Sequence, residues 1–125
     1  PILKGDFLHL IYSAALGKID KAAVEYNGGS SVCVVAASGG YPDSFEKGFE
    51  ITGLDEQLAG ILVYHAGTKE VNGKILTNGG RVLGVTSVLP DFNLILAKDL
   101  VYKALAAIKF KNIYYRKDIS DKAFK

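Results

Sequence analysis

The chain has one cysteine, no methionine, no tryptophan, three prolines and two histidines in 125 residues. A single cysteine excludes an intramolecular disulfide framework and a cysteine-rich zinc site, and it points to a reducing compartment. Two histidines are too few to expect a transition-metal site built from the protein's own side chains. No apolar run approaches the roughly 20 residues of a membrane span. There is no N-terminal signal pattern and no Asn-x-Ser/Thr sequon. An excess of one charge is also missing: 15 Lys+Arg against 13 Asp+Glu leave a net +2, with the signs interspersed. That balance implies neither a nucleic-acid nor an anionic-membrane partner. Forty-nine per cent apolar and 22% charged residues are globular composition, enough for one core but not two domains. The expectation is a soluble, intracellular chain with a single compact core.

The first residue is Pro1 rather than Met, and an amphipathic pattern starts almost at once. Leu3, Phe7, Leu10, Ile11 and Ala14 recur at helical spacing, with Asp6 near the start and Gly17 as a stop. A helix so close to the first residue suggests processing, or a chain cut from a larger protein. After a short stretch from Ile19 to Glu25 and an Asn27-Gly28-Gly29-Ser30 turn, the run Val32–Ala37 predicts a buried strand. Residues 39–53 carry four glycines and a proline and predict an ordered loop with little regular structure. Ala59–Ala66 predicts a second strand, and Asn72-Gly73 is a hairpin signal leading into Lys74–Thr77. Asn78-Gly79-Gly80 turns the chain into a strand over Arg81–Leu89. Then Leu94, Ala97, Val101, Ala104, Leu105 and Ile108 mark a helix, capped by Asp91 or Asn93. The tail from Tyr114 to Asp118 is expected to pack as an edge element. Hairpins imply antiparallel pairing, so the fold class is α+β: a hairpin-rich antiparallel sheet with helices at both ends.

Few residues carry a chemical signal. Gly79-Gly80 lacks dinucleotide and P-loop spacing and precedes a strand rather than a helix. Cys33, inside an apolar run, reads as a core residue that resists thiol reagents. His9 reads as a surface side chain. His65 ends a strand before Ala66-Gly67-Thr68-Lys69; it is either satisfied by a backbone carbonyl or faces a ligand beside exposed N–H groups. Thr77-Asn78-Gly79-Gly80-Arg81 also has two readings. One is a hairpin turn with a solvated arginine. The other is a glycine-lined anion nest in which Arg81 forks two donors onto a phosphate or carboxylate. Gly39-Gly40-Tyr41-Pro42 is either a packed loop or a lid on a ligand.

Together these segments resemble one family. Ser38-Gly39-Gly40-Tyr41-Pro42, Glu46-Lys47-Gly48, Ile51-Thr52-Gly53, His65-Ala66-Gly67-Thr68, Thr77 to Thr86 (TNGGRVLGVT) and Tyr115-Arg116-Lys117-Asp118-Ile119 stand in the order and spacing of the C-terminal domain of phosphoribosylamine–glycine ligases. The resemblance covers almost the whole chain. Two positions depart from it: Asp43 and Ser120 stand where glycine is usual. What the resemblance implies is an ATP-grasp ligase of purine biosynthesis, cytoplasmic, joining glycine to 5-phosphoribosylamine with cleavage of ATP. It implies that residues 1–18 are the terminal helix of the preceding ATP-grasp part, and that residues 19–125 form a hybrid-motif-like C-terminal domain closing one wall of the active site. ATP and Mg2+ would then be held mainly by the preceding part of the same polypeptide. The resemblance also implies that this chain is inactive alone and contributes neither a catalytic residue nor a metal ligand. Its expected contribution is substrate binding by His65, Gly67, Thr68, Asn78, Gly79, Gly80 and Arg81, with Lys47 as a weaker contributor. The rival expectation is a small, non-catalytic binding or interaction module whose glycine-rich turns simply build hairpins.

Overall fold

A computed structural model describes residues 1–20, 23–55 and 58–124. The N-terminal unit is a strand β1 (Leu3–Gly5), a helix α1 (Phe7–Ala15) and a strand β2 (Val24–Tyr26). Asp6 caps α1, its carboxylate accepting from the His9 N–H at 2.8 Å. Leu3, expected on the helix, instead pairs with Tyr26, so β1 and β2 form a ribbon across the expected boundary at 18/19. Only Ser13 of α1 is buried; Phe7, Leu8, Ile11 and Tyr12 face outward. An amphipathic helix forms because its pattern favours it, yet its apolar stripe is uncovered here.

The main sheet consists of β3 (Ser30–Ser38), β4 (Ile61–His65), β7 (Arg81–Leu89) and β8 (Ile113–Tyr114), in the order β4-β7-β3-β8 and antiparallel throughout. β5 (Thr68–Val71) and β6 (Lys74–Thr77) form a separate hairpin. Its tip is Asn72-Gly73, with φ of 52° and 76°, as a two-residue turn matching the strand twist requires. Helix α2 (Leu94–Ala107) lies on one face of the main sheet. It starts where expected, with Asn93 Oδ1 accepting from the Leu96 N–H at 3.0 Å. Its Ala97, Val101, Ala104 and Leu105 meet Val34, Ala36 and Val85 in the core. A fully buried side chain such as Leu105 contributes roughly 1.5–3 kcal/mol, and this layer holds the fold together. The α+β class expected from the hairpin pattern is therefore the observed one.

Two expectations are corrected. Cys33 is exposed, not buried. β3 alternates, with Val32, Val34 and Ala36 buried and Cys33 and Val35 outward. A continuous apolar run implies burial on both faces only if both are covered, and among the described residues α2 covers just one. Asn78-Gly79-Gly80 is not a hairpin turn either. β6 pairs with β5 and β7 with β3 and β4, so the turn carries the chain from one sheet to the other. The 39–53 segment does lack regular elements, but it is anchored: Ile51 N–H donates to Ile75 at 2.8 Å, and Thr77 N–H donates to Phe49 at 2.8 Å.

Candidate functional site

The crossing turn meets the β4–β5 connection backbone to backbone. Asn78 N–H donates to the Gly67 carbonyl at 2.7 Å, and Gly67 N–H to the Arg81 carbonyl at 2.9 Å. A Cβ at Gly67 would lie 2.7 Å from the Gly79 Cα, so two glycines are needed simply for the turns to touch. From the other side Ser38 grips the turn, its Oγ donating to the Gly79 carbonyl at 2.9 Å and its N–H to the Gly80 carbonyl at 2.8 Å. The ring of Tyr41 lies against Gly80: a Cβ there would come within 2.0 Å of the ring. Neither Gly79 nor Gly80 has the left-handed φ that an alternating anion nest uses. Their missing side chains serve close packing, while their N–H groups have no partner among the described residues.

This packing opens a cavity of about 610 Å³ on the uncovered side of the sheet, lined among others by Tyr41, Tyr64, Gly67, Gly80, Arg81 and Gly84. Arg81 also lines a neighbouring cavity of about 330 Å³ with Cys33, Tyr114, Tyr115 and Arg116; Tyr41 lines both. Among the described residues Arg81 has no ion-pair partner. Arg116 differs. Its guanidinium forks onto Asp118, with Nε–Oδ1 at 2.9 Å and Nη2–Oδ2 at 2.6 Å. That hydrogen bond holds the Asp118 carboxyl below its ordinary range and raises Arg116. Arg81 is thus the guanidinium free to take an anion.

Of the residues singled out from sequence, Gly67, Gly80 and Arg81 line the larger cavity. Gly79 stands in the turn behind them, and Asn78 is tied to Gly67. His65 and Thr68 stand at the edge, bonded to each other through Nδ1 and Oγ1 at 3.0 Å. Lys47 is not gathered in; its Nζ lies 5.7 Å above the Phe45 ring. Phe45 lines a separate cavity of about 340 Å³. Sequence reasoning missed Tyr64 and Gly84, which are register partners on adjacent strands. A glycine inside a strand pattern marks a close approach or an open floor, and that signal was available.

The arrangement offers one unpaired cation, two phenols and free backbone donors around an open floor. Such a set has the chemistry to take an anion with a polar body. Among the described residues no three His, Cys, Asp or Glu come together to hold a metal. No described helix is long and apolar enough to cross a membrane.

Comparison with known proteins adds the following. A family model described as phosphoribosylglycinamide synthetase, C domain, matches residues 31–122. The phosphoribosylamine–glycine ligase of Caldanaerobacter subterraneus is 44% identical over 120 residues, covering 96% of this chain and 28% of that protein. The human trifunctional purine biosynthetic protein adenosine-3 is 45% identical over 125 residues, covering 98% of this chain and 12% of that protein. The crystal structure of phosphoribosylamine–glycine ligase from Thermotoga maritima is similar with a TM-score of 0.71 at 34% identity, over 91% of this chain and 27% of that one. The chain spans little more than a quarter of its single-function relatives.

Proposed function

The chain belongs to the phosphoribosylglycinamide synthetase C-domain family, and from that premise we propose that it is the C-terminal domain of a cytoplasmic phosphoribosylamine–glycine ligase. The parent enzyme joins glycine to 5-phosphoribosylamine using ATP. ATP and Mg2+ are held by the preceding part of the polypeptide, to which residues 1–18 belong. The observation that carries the reading is Arg81, without an ion-pair partner among the described residues and lining a cavity together with Gly67, Gly80 and Gly84. The phosphate of 5-phosphoribosylamine is a dianion, and a guanidinium with neighbouring N–H donors is its natural complement. In this role Arg81 is the chief anion ligand, the Gly79 and Gly80 N–H groups assist, and His65, Gly67, Thr68 and Asn78 border the sugar. Lys47, turned toward Phe45, contributes least.

A second observation supports a larger parent. Val35, Leu62 and Tyr64 are exposed on the sheet face opposite α2, and α1 shows its apolar stripe. Both want covering by further polypeptide. The experiment compares residues 1–125 with the complete polypeptide in a glycine- and phosphoribosylamine-dependent ADP-release assay. Turnover by the complete polypeptide and none by residues 1–125 is expected. No turnover by the complete polypeptide would leave the rival, a non-catalytic interaction module.

A further inference from the structure

Beyond the residues placed at the border of the sugar, the larger cavity has two aromatic residues in its lining that can hold the ring itself. Its lining brings the glycines Gly67, Gly80 and Gly84 together with the tyrosines Tyr41 and Tyr64. Tyr41 is fixed from two directions: its ring lies against Gly80, and it meets Phe45 edge to face with centroids 5.9 Å apart. Tyr64 comes from β4, where it faces Gly84 across the strand pair. A Cβ at Gly84 would stand 3.8 Å from the Tyr64 Cβ, so the absent side chain leaves the floor open without being forced by backbone strain. Both tyrosines remain partly exposed, at 39% and 51%. Neither phenol has a hydrogen-bond partner among the described residues.

Two tyrosine rings, glycines between them that leave room, and phenols without a partner among the described residues suit a ring that is apolar on its faces and polar at its edge. A sugar ring is such a body: its C–H groups pack on aromatic carbon, and its hydroxyls exchange hydrogen bonds with phenols. Resting on the assignment of Arg81 to the phosphate, we propose that Tyr41 and Tyr64 form the sugar-ring subsite. They select a phosphorylated sugar over a bare anion. Tyr41 also lines the smaller cavity beside Cys33, as Val35 and Arg81 do.

Calorimetry on the complete polypeptide tests this with two probes, ribose 5-phosphate and inorganic phosphate. Tyr41→Ala and Tyr64→Ala should each weaken ribose 5-phosphate by about three- to tenfold while changing phosphate less than about twofold. Tyr41→Phe and Tyr64→Phe should keep most of the affinity, because they keep the ring. Equal weakening of both probes makes the tyrosines structural and overturns the inference, as does no weakening of either. A loss of both probes in Arg81→Ala, with unselective tyrosine variants, removes the sugar subsite and leaves the phosphate assignment standing. Failure of the wild-type polypeptide to bind ribose 5-phosphate overturns both.

Discussion

Gly80→Ala isolates the packing on which the site rests. The residue does not occupy the left-handed region, so an alanine there is not strained by its own backbone. The cost comes from one neighbour. The new Cβ would stand 2.0 Å from Cδ2 and 2.5 Å from Cε2 of Tyr41, far inside contact distance. Overpacking of this kind costs about 1–3 kcal/mol. Tyr41 is 39% exposed, so its ring has room to swing outward. It then gives up its contact with the turn and the edge-to-face pairing with Phe45, the latter contributing roughly 0.5–1.5 kcal/mol. The expected loss is therefore about 1–2 kcal/mol, read as a shift in the urea midpoint at unchanged slope. In a Tyr41→Ala background the same substitution should cost almost nothing, because the obstructing ring is gone. Gly67→Ala provides the contrast. Its Cβ meets the Arg81 carbonyl at 2.6 Å and the Gly79 Cα at 2.7 Å, both backbone, so truncating Tyr41 brings no relief. If Gly80→Ala costs as much with Tyr41 removed as with it present, the reasoning about this turn is wrong.

Three further outcomes are expected. Cys33 should react with a thiol reagent in the native 125-residue chain; labelling that waits for unfolding would refute the open sheet face. Ser120 sits at φ 69° with its hydroxyl buried and, among the described residues, without a partner. Ser120→Gly should raise stability by about 1 kcal/mol, the relief of a left-handed side chain less glycine's greater unfolded freedom, and an unchanged denaturation midpoint would contradict it. The Asp118 carboxyl lies below its ordinary 3.8 because of its hydrogen bond to Arg116. A depressed carboxylate contributes stability at pH above its unfolded value and loses it as pH falls through the folded one. An NMR titration should therefore find the Asp118 midpoint below 3.8 and moved upward in Arg116→Gln; an unmoved midpoint would rule out the pair as the cause.

The local elements were legible because their signals are local. Asn93 caps α2 as its side chain requires, Asn72-Gly73 adopts the positive φ values of its hairpin, and the α2 stripe is the buried one. The usual glycine at position 120 also has a physical reason, since Ser120 occupies a left-handed conformation. What stayed hidden depends on partners far apart in the chain. Cys33 looked buried because a strand's composition does not say which of its faces is covered. The glycines of the site were legible as special, but not why. Gly79 answers to Gly67 and Gly80 to Tyr41, contacts set by two sheets meeting rather than by the turn's own sequence. Arg81 was visible as a donor. That Arg81 has no ion-pair partner among the described residues, while Arg116 is taken by Asp118, emerges only from the three-dimensional arrangement.

Arg81 is proposed to bind the phosphate of the sugar substrate. A charge-assisted hydrogen bond of this kind contributes about 1.5–3 kcal/mol. The most direct measurement is the steady-state kinetics of Arg81→Ala in the complete polypeptide. KM for phosphoribosylamine should rise by roughly tenfold to a hundredfold, with KM for ATP nearly unchanged and the unfolding midpoint preserved. A variant that unfolds more readily while keeping the wild-type KM for phosphoribosylamine would contradict it and make Arg81 a structural residue.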